Sequence, residues 1–375
     1  MPAAPAHLRL ARQAGLRRLV HEAGLDALLV TSLSNVAYLS GLFASAAAAV
    51  ITRDRFTLIT DGRYLGIVKG ILEDMTGVEL VITPATIPFD QALAEALCSI
   101  GNGRAGFEAA HFTVKRFRDL QARMTKMAPG VTLEATESLV ERLRIVKDEW
   151  ELGVFTEAGA RLSDAAKCII PKALAGMKER EVAALIEAEL RRVGFDKPAF
   201  DTIVASGPNS AVPHYRAGDR VLTAGDLVVL DFGGMFRGYA VDLTRTITLG
   251  PATPRQRRLL DDIAAAQDAG FAVVRQGVPA TDIDHATRES MTAAGLGEFF
   301  GHGTGHGLGL EVHERPRIAQ FRAELPGEPL QPGMVFTIEP GAYFPDWGGA
   351  RIEDDAALTA SGAVWLTEVP RFWTS

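Results

Sequence analysis

Apolar residues in the first third of the chain alternate between helical spacing and short continuous runs. They recur at helical intervals over residues 8–23, and Gly24 ends this pattern. Continuous apolar runs bounded by turn residues are typical of buried strands. The predicted strands are 27–30, 47–52, 56–60, 78–83 and 104–108, and the predicted helices between them are 36–39, 89–100 and 114–124. This alternation predicts an α/β layer domain over residues 1–136.

The pattern changes after this domain. Residues 137–146 form a charged segment with helical spacing, which we interpret as the junction to a second domain, 147–375. Long helical patterns open the second domain, and strands dominate its last part. Its predicted helices are 148–170, 179–193, 254–277 and 281–294, and its predicted strands are 202–205, 227–232, 240–248, 334–339, 349–354 and 363–366. The whole chain is therefore predicted to be of the α/β (α+β) class.

Composition and charge exclude several classes of protein. Of the 375 residues 47% are hydrophobic and 23% are charged, which is ordinary for a globular protein. The net charge of −7 argues against binding to nucleic acid or to an anionic membrane. Serines interrupt the most apolar region, 27–52, and no apolar leader is visible, so we expect a cytoplasmic protein. Cys98 and Cys168 are expected to be reduced thiols.

The stretch from Gly301 to Glu314 reads GHGTGHGLGLEVHE and concentrates three histidines among glycines. Each glycine would cost a helix about 1 kcal/mol relative to alanine, so an extended chain is predicted. Residues four apart on a strand face the same side, so the rings of His302 and His306 are predicted to face one side. His313 lies an odd number of positions from His306, so it joins them only if the chain bends at one of the two glycines between them.

Two phosphate-binding motifs are excluded for this stretch. The spacing G-x-G-x-x-G occurs nowhere in this stretch; His306, Leu308 or Leu310, for example, stands where its last glycine would be. The sequence G-x-x-x-x-G-K-[ST] occurs nowhere in the chain. A metal or catalytic site is the remaining interpretation.

Two aspartates flank a predicted hairpin in the second domain. If the turn is centred on Phe236 and Arg237, Asp231 and Asp242 lie opposite each other, with Cβ atoms roughly 4.5–5.5 Å apart. Carboxylates this close repel each other unless they share a proton or bind cations. The apolar residues around them predict that both are buried.

Two further acids, Glu339 and Glu353, end apolar strands and need a partner there. Together with the two aspartates and His306 they make four carboxylates and one imidazole. Such a set suits two divalent cations about 3.5–4 Å apart. Thiolates are absent from the set, which favours Mn²⁺ or Co²⁺, with Zn²⁺ or Fe²⁺ as alternatives.

These motifs resemble the metallopeptidase family that contains methionine aminopeptidase, aminopeptidase P and Xaa-Pro dipeptidase. The resemblance implies a C-terminal pita-bread catalytic domain, a creatinase-like N-terminal domain and a homodimer. It implies cleavage of the Xaa-Pro bond at the N-terminus of short peptides. The metal ligands that it implies are Asp231, Asp242, His306, Glu339 and Glu353.

The resemblance also assigns roles in the reaction. The expected attack on the peptide carbonyl is by a hydroxide held by the two cations, with Glu339 as general base. His214 and His313 are expected to line the substrate site and to stabilise the tetrahedral intermediate, and His302 lies in the outer pocket.

Two arginines complete the predicted site. Arg351 lies two residues before Glu353 and is predicted to hold an acidic ligand, either Asp231 or Asp242. Arg317 could pair with the C-terminal carboxylate of a dipeptide, but it could equally be a solvated loop residue. Dipeptidase and aminopeptidase P therefore both stay open.

Three rival functions share this architecture. A metal-free, creatinase-like amidinohydrolase and an inactive binding scaffold are both disfavoured, because neither needs the complete acidic set. A metal-dependent lyase could keep every ligand, so it remains the alternative from another reaction class.

Overall fold

A computed structural model describes residues 3–324 and 327–374, so the first two and the last residue of the predicted domains lie outside the described residues. The chain divides into two compact units, Met1–Arg144 and Ile145–Ser375. Cys98 and Cys168 are both free thiols, as predicted. None of the helices in the described ranges combines the length and the hydropathy that a membrane span requires.

The first unit is built on one mixed sheet. The strands of its described part are β1 (Ala27–Val30), β2 (Ala47–Thr52), β3 (Phe56–Asp61), β4 (Val78–Thr83), β5 (Gly103–Glu108) and β6 (Val131–Thr136). They are ordered β4-β3-β2-β1-β5-β6, and β1 pairs antiparallel with β2 and parallel with β5. The helices are α1 (Ala6–Glu22), α2 (Leu33–Ser40), α3 (Leu65–Leu72), α4 (Phe89–Cys98), α5 (Val114–Met127) and α6 (Glu141–Arg144).

The core of the first unit explains why most of its elements were predicted. Leu29 of β1 packs with Leu93 of α4 and Leu120 of α5, and all three side chains are buried. The helix α3 was missed. Val68 is its one buried residue in the described structure, so its apolar residues do not repeat on one buried face as those of an amphipathic helix do. The predicted helix over 137–146 was wrong except for the single turn α6.

The second unit combines four long helices with three sheets in its described part. The helices are α7 (Glu149–Ile169), α8 (Glu179–Arg192), α9 (Pro254–Ala272) and α10 (Ala280–Ala293). The strands are β7 (Lys197–Pro198), β8 (Ile203–Ser206), β9 (Leu227–Phe236), β10 (Tyr239–Thr248), β11 (Gly305–Gly307), β12 (Glu314–Ile318), β13 (Val335–Ile338), β14 (Gly341–Phe344), β15 (Gly348–Arg351), β16 (Asp354–Thr359) and β17 (Gly362–Trp365). The sheets are β10-β9-β7 with β8 also on β9, β12-β11-β13-β16-β17, and β14-β15.

The hairpin of β9 and β10 has a different register from the predicted one. Its turn is Arg237–Gly238, and both residues have positive φ, 51° and 86°, as a type I′ turn requires. Asp231 therefore lies opposite Thr244, while Asp242 lies opposite Gly233. The aspartates share one face as diagonal neighbours, which in a typical sheet lie about 7–8 Å apart, and are not directly opposed.

The predicted strand 349–354 is in fact broken. Its first part is β15, which pairs with β14, and its last residue begins β16, which pairs with β13. Between them the N–H of Ile352 donates to the Pro340 carbonyl at 3.2 Å, and the N–H of Glu353 donates to the Thr244 carbonyl at 3.1 Å. The chain thus changes sheets at Glu353 and turns that side chain toward the hairpin.

Candidate metal centre

The predicted site residues of the second unit come together around one cavity of about 500 Å³. They lie on separate elements: β9 and β10, the segment between β8 and β9, β11 and β12 with the residues beside them, the end of β13, β15, and the changeover before β16. All ten line the cavity wall: His214, Asp231, Asp242, His302, His306, His313, Arg317, Glu339, Arg351 and Glu353.

Three of the predicted ligands form the centre of the cluster. Asp242, His306 and Glu353 each offer a ligand atom, and these atoms all lie within 4.8 Å of one another. The His306 Nε2 atom is 3.7 Å from an oxygen of Glu339. Asp231 stands beside the group and accepts a hydrogen bond from Arg351 at 2.5 Å.

Burial and mutual repulsion act strongly on these acids. Burial, followed by the Glu353 charge, raises the pKa of both Asp242 and Glu339 well above the usual carboxyl range. Burial and then Asp231 raise the pKa of Glu353 to about 7. The protein without cations thus favours protonated acids here, and positive charge in the cavity would favour their ionised forms.

The His306 ring presents one nitrogen to the acids. Its Nδ1 atom lies 3.1 Å from the Gly307 carbonyl, which can only accept, so Nδ1 carries the proton and Nε2 keeps its lone pair. Burial, followed by the nearby His313, lowers the pKa of His306 to about 4. The neutral imidazole is the form that can bind a metal ion.

A chain of hydrogen bonds runs behind the acids. Arg351 donates to Asp231 and, at 2.7 Å, to the Tyr343 hydroxyl. The Tyr343 hydroxyl lies 3.1 Å from Nε2 of His302, whose Nδ1 atom bonds the Gly303 carbonyl. Arg351 therefore holds Asp231, one of the two acids predicted for it.

The two remaining histidines and Arg317 lie on the outer wall. The register of β11 and β12 shifts between His306 and Gly307, as the sequence required for His313 to turn inward. The ring centroids of His306 and His313 are 4.3 Å apart. Arg317 is the strand partner of His306, so its side chain projects from the same face, and His214 is exposed at the cavity mouth.

The donor set fits divalent cations on a structural criterion. One oxygen each of Asp231, Asp242 and Glu353 is buried and has no hydrogen-bond partner among the described residues. A buried carboxylate oxygen without a partner is costly, and cations would supply one. Oxygen and imidazole donors without thiolate are the ligands of divalent ions such as Mn²⁺, Co²⁺ or Zn²⁺.

Sequence reasoning missed the residues that orient the ligands. The Thr244 hydroxyl donates to Glu353 at 2.6 Å, and the Thr337 hydroxyl accepts from the His306 N–H at 3.2 Å. The period of two along β10 places Thr244 on the face of Asp242 and could have indicated it. Tyr343 gave no comparable signal, because its strand was not predicted.

Comparisons with known proteins agree with this arrangement. Residues 154–360 match the model of Metallopeptidase family M24, and residues 12–146 match the Creatinase/Prolidase N-terminal domain. The chain is 40% identical to an Xaa-Pro dipeptidase of Pyrococcus horikoshii over 66% of this chain and 70% of that protein.

Two solved structures are similar over nearly the whole chain. An Xaa-Pro dipeptidase from Bacillus anthracis has a TM-score of 0.89 and 32% identity, covering 98% of this chain and 100% of the other. An X-Pro aminopeptidase from Thermotoga maritima has a TM-score of 0.85 and 31% identity, covering 97% and 99%. The acidic cluster, the fold and these matches lead to one conclusion: the chain belongs to metallopeptidase family M24, and it carries a creatinase/prolidase N-terminal domain.

Proposed function

We propose that this protein is a metal-dependent Xaa-Pro dipeptidase. The observation that carries the proposal is a group of buried acids beside His306, on the wall of a cavity, with oxygens that lack a hydrogen-bond partner among the described residues. The choice of a dipeptide rests on Arg317, which lines the same cavity and is the strand partner of His306. Its guanidinium can pair with the C-terminal carboxylate of a bound dipeptide.

The proposed ligands are Asp231, Asp242, His306, Glu339 and Glu353. When bound, two divalent cations lower the pKa of water toward neutrality and polarise the peptide carbonyl. Glu339 accepts the proton from the attacking water, while His214 and His313 donate hydrogen bonds to the oxyanion that develops. His302 borders the outer pocket. Mn²⁺ is the proposed metal because hard oxygen ligands dominate the set, and Co²⁺, Zn²⁺ and Fe²⁺ are its competitors.

The test is hydrolysis of an Xaa-Pro dipeptide and an Xaa-Pro-Yaa tripeptide. Protein stripped with a chelator is restored with Mn²⁺, Co²⁺, Zn²⁺ or Fe²⁺ in parallel, and Asp242→Ala serves as the control that lacks one ligand. We expect metal-dependent cleavage of the dipeptide and its loss in the control. If neither peptide is cleaved while metal is bound, the proposal fails, and small amidines and sulfonium acids become the substrates to assay for amidinohydrolase and lyase activity.

Arg317 offers a sharper test of peptide length. Loss of a charge-assisted hydrogen bond costs roughly 1.5–3 kcal/mol, so Arg317→Met should lower kcat/KM for the dipeptide about 10- to 100-fold. Cleavage of the tripeptide, whose carboxylate lies one residue farther away, should change little. An equal loss on both peptides would contradict carboxylate recognition by Arg317.

Aminopeptidase P activity is the second candidate, and the similarity to the Thermotoga maritima X-Pro aminopeptidase favours it. Preference for the tripeptide by the unmodified protein would select it over the dipeptidase.

We also propose the domain limits, the oligomeric state and the cellular location of the protein. We infer domains at 1–136 and 147–375, joined by 137–146, in a cytoplasmic homodimer. Light scattering on purified protein tests the dimer, limited proteolysis tests the junction, and fractionation of the source cells tests the location.

A further inference from the structure

Glu179 is a fully buried acid outside the metal centre, at the first position of α8. One of its oxygens accepts hydrogen bonds from the Ser206 N–H at 2.9 Å, the Ser206 hydroxyl at 2.7 Å and the Asn209 amide at 2.9 Å. The other accepts from the Gly218 N–H at 3.3 Å. The positive end of the helix dipole adds to the stabilisation of this carboxylate.

These donors lie at the two ends of one segment. Ser206 ends β8, Gly218 lies twelve positions later in the sequence, and the chain between them carries His214 to the cavity. The Asn209 amide that bonds Glu179 also donates to the Tyr215 hydroxyl at 2.8 Å, so the residue next to His214 is linked to the same carboxylate.

Backbone hydrogen bonds place the C-terminal end of this segment against α8. The N–H of Glu179 donates to the Arg220 carbonyl at 3.0 Å, and the N–H of Arg180 donates to the Gly218 carbonyl at 3.1 Å. The N-terminal end of the segment is fixed independently, because the Ser210 hydroxyl accepts a hydrogen bond from the Gly349 N–H at 2.9 Å. The stretch that remains between these anchors is short and contains His214.

We infer that Glu179 is a positioning residue for the reaction, which acts by fixing the segment that carries His214. The inference rests on the proposed role of His214 in binding the developing oxyanion. A misplacement of about 1 Å in a catalytic group can cost roughly 100-fold in rate. Loss of the hydrogen bonds to Glu179 should therefore lower the rate measurably. A glutamine at this position would turn an acceptor toward Gly218 into a donor, which repels the N–H there.

A double-mutant cycle separates positioning from simple stability. We expect Glu179→Gln to lower kcat about 10- to 100-fold with a smaller change in KM, because His214 acts on the transition state. His214→Ala should lower kcat at least as much. The double variant should then match His214→Ala in kcat/KM within about twofold, whereas the losses in thermal stability should add.

Two further variants keep the test decisive. Asn209→Ala removes the link from Glu179 to Tyr215 without removing the buried acid. It takes the place of Glu179→Gln in the double-mutant cycle if that variant does not fold. Glu108→Gln is the matched control, because Glu108 is a buried acid of the first unit that accepts from the Thr31 and Ser32 N–H groups and the Asn35 amide. It should lose stability but keep kcat/KM.

Hydrogen exchange over residues 207–218 gives a readout that does not depend on activity. Exchange should increase in Glu179→Gln and stay unchanged in Glu108→Gln. Losses of kcat/KM that multiply in the double variant, or unchanged exchange, would overturn the inference. A fully active His214→Ala would refute the role of His214 itself, and failure of the unmodified protein to cleave Xaa-Pro peptides would refute the proposed function instead.

Discussion

Arg351 shows how much a single side chain contributes to the arrangement of the acids. It is 3% exposed and donates to Asp231, to the Tyr343 hydroxyl and, at 3.2 Å, to the Thr244 hydroxyl. Thr244 in turn bonds Glu353, so two of the proposed ligands depend on this one guanidinium. A planar group with several donors can hold such partners together, whereas an ammonium cannot match their directions.

We therefore expect Arg351→Lys to weaken metal binding while the protein remains folded. Loss of a residue that orients a metal ligand typically lowers metal affinity 10- to 100-fold. Competition with a fluorescent chelator measures the affinity. Arg371→Lys is the control, because Arg371 pairs with the largely exposed Asp268. Equal affinities in the two variants would show that Arg351 does not orient the ligands.

At the scale of elements, the ligands depend on how closely two strands approach. A Cβ atom added to Gly305 would lie 2.1 Å from the Thr337 carbonyl oxygen, so β11 can sit against β13 only with glycine there. The next residue is His306. At Gly301, in the same glycine-rich stretch, an added Cβ would have no atom of the described residues within 4 Å.

These two glycines make a matched pair for mutation. Gly305→Ala must push β11 away from β13, which should destabilise the protein by about 1–3 kcal/mol and lower metal affinity. Gly301→Ala should leave both nearly unchanged. Denaturant unfolding and metal titration of both variants measure these effects, and similar behaviour of the pair would contradict the close approach as the cause.

The elements also show what the sequence could and could not predict. Strands β1, β2 and β4 were predicted residue for residue, because apolar residues dominate each of these short runs. The hairpin register was not, because it depends on a left-handed conformation at Arg237, which a non-glycine residue rarely adopts. The break at Glu353 was missed because residues 350–358 contain neither glycine nor proline to mark it, and only the competing strands decide where pairing changes.

The same limit applies to the site. The acids were predictable because each is a titratable group in or at the end of an apolar run, and His306 because it lies among glycines. The partners that orient them come from distant parts of the chain, as with Thr244 and Glu353, and a local pattern does not reveal such pairs.

For the whole molecule, the acidic cluster links stability to pH and to metal. The pKa of Glu353 rises from 4.5 to about 7 in the folded protein without cations. A carboxyl with a raised pKa binds its proton more tightly when folded, so stability is highest below the unfolded pKa and falls as the pH rises.

Measured relative to Glu353→Gln, the metal-free protein should therefore lose thermal stability between about pH 4.5 and pH 7. The comparison cancels the opposite contribution of His306, whose lowered pKa makes stability rise with pH from about 4. Metal should remove this loss, since the cations favour the ionised acids, and metal affinity should increase with pH over the same range. Thermal unfolding with chelator or with Mn²⁺ at a series of pH values is the measurement. Metal-free stability that rises toward pH 7 relative to Glu353→Gln would contradict the raised pKa of Glu353.

The changeover at Glu353 also has a kinetic consequence. The contact between Glu353 and Thr244 spans 109 residues, and contacts of such long range are closed only after much of the chain has become ordered. Ions should then enter a pocket that forms at the end of folding. Cations would slow unfolding and leave the refolding rate unchanged. Because folding would not need metal, a cell short of metal would accumulate folded, inactive enzyme that can still bind its ions.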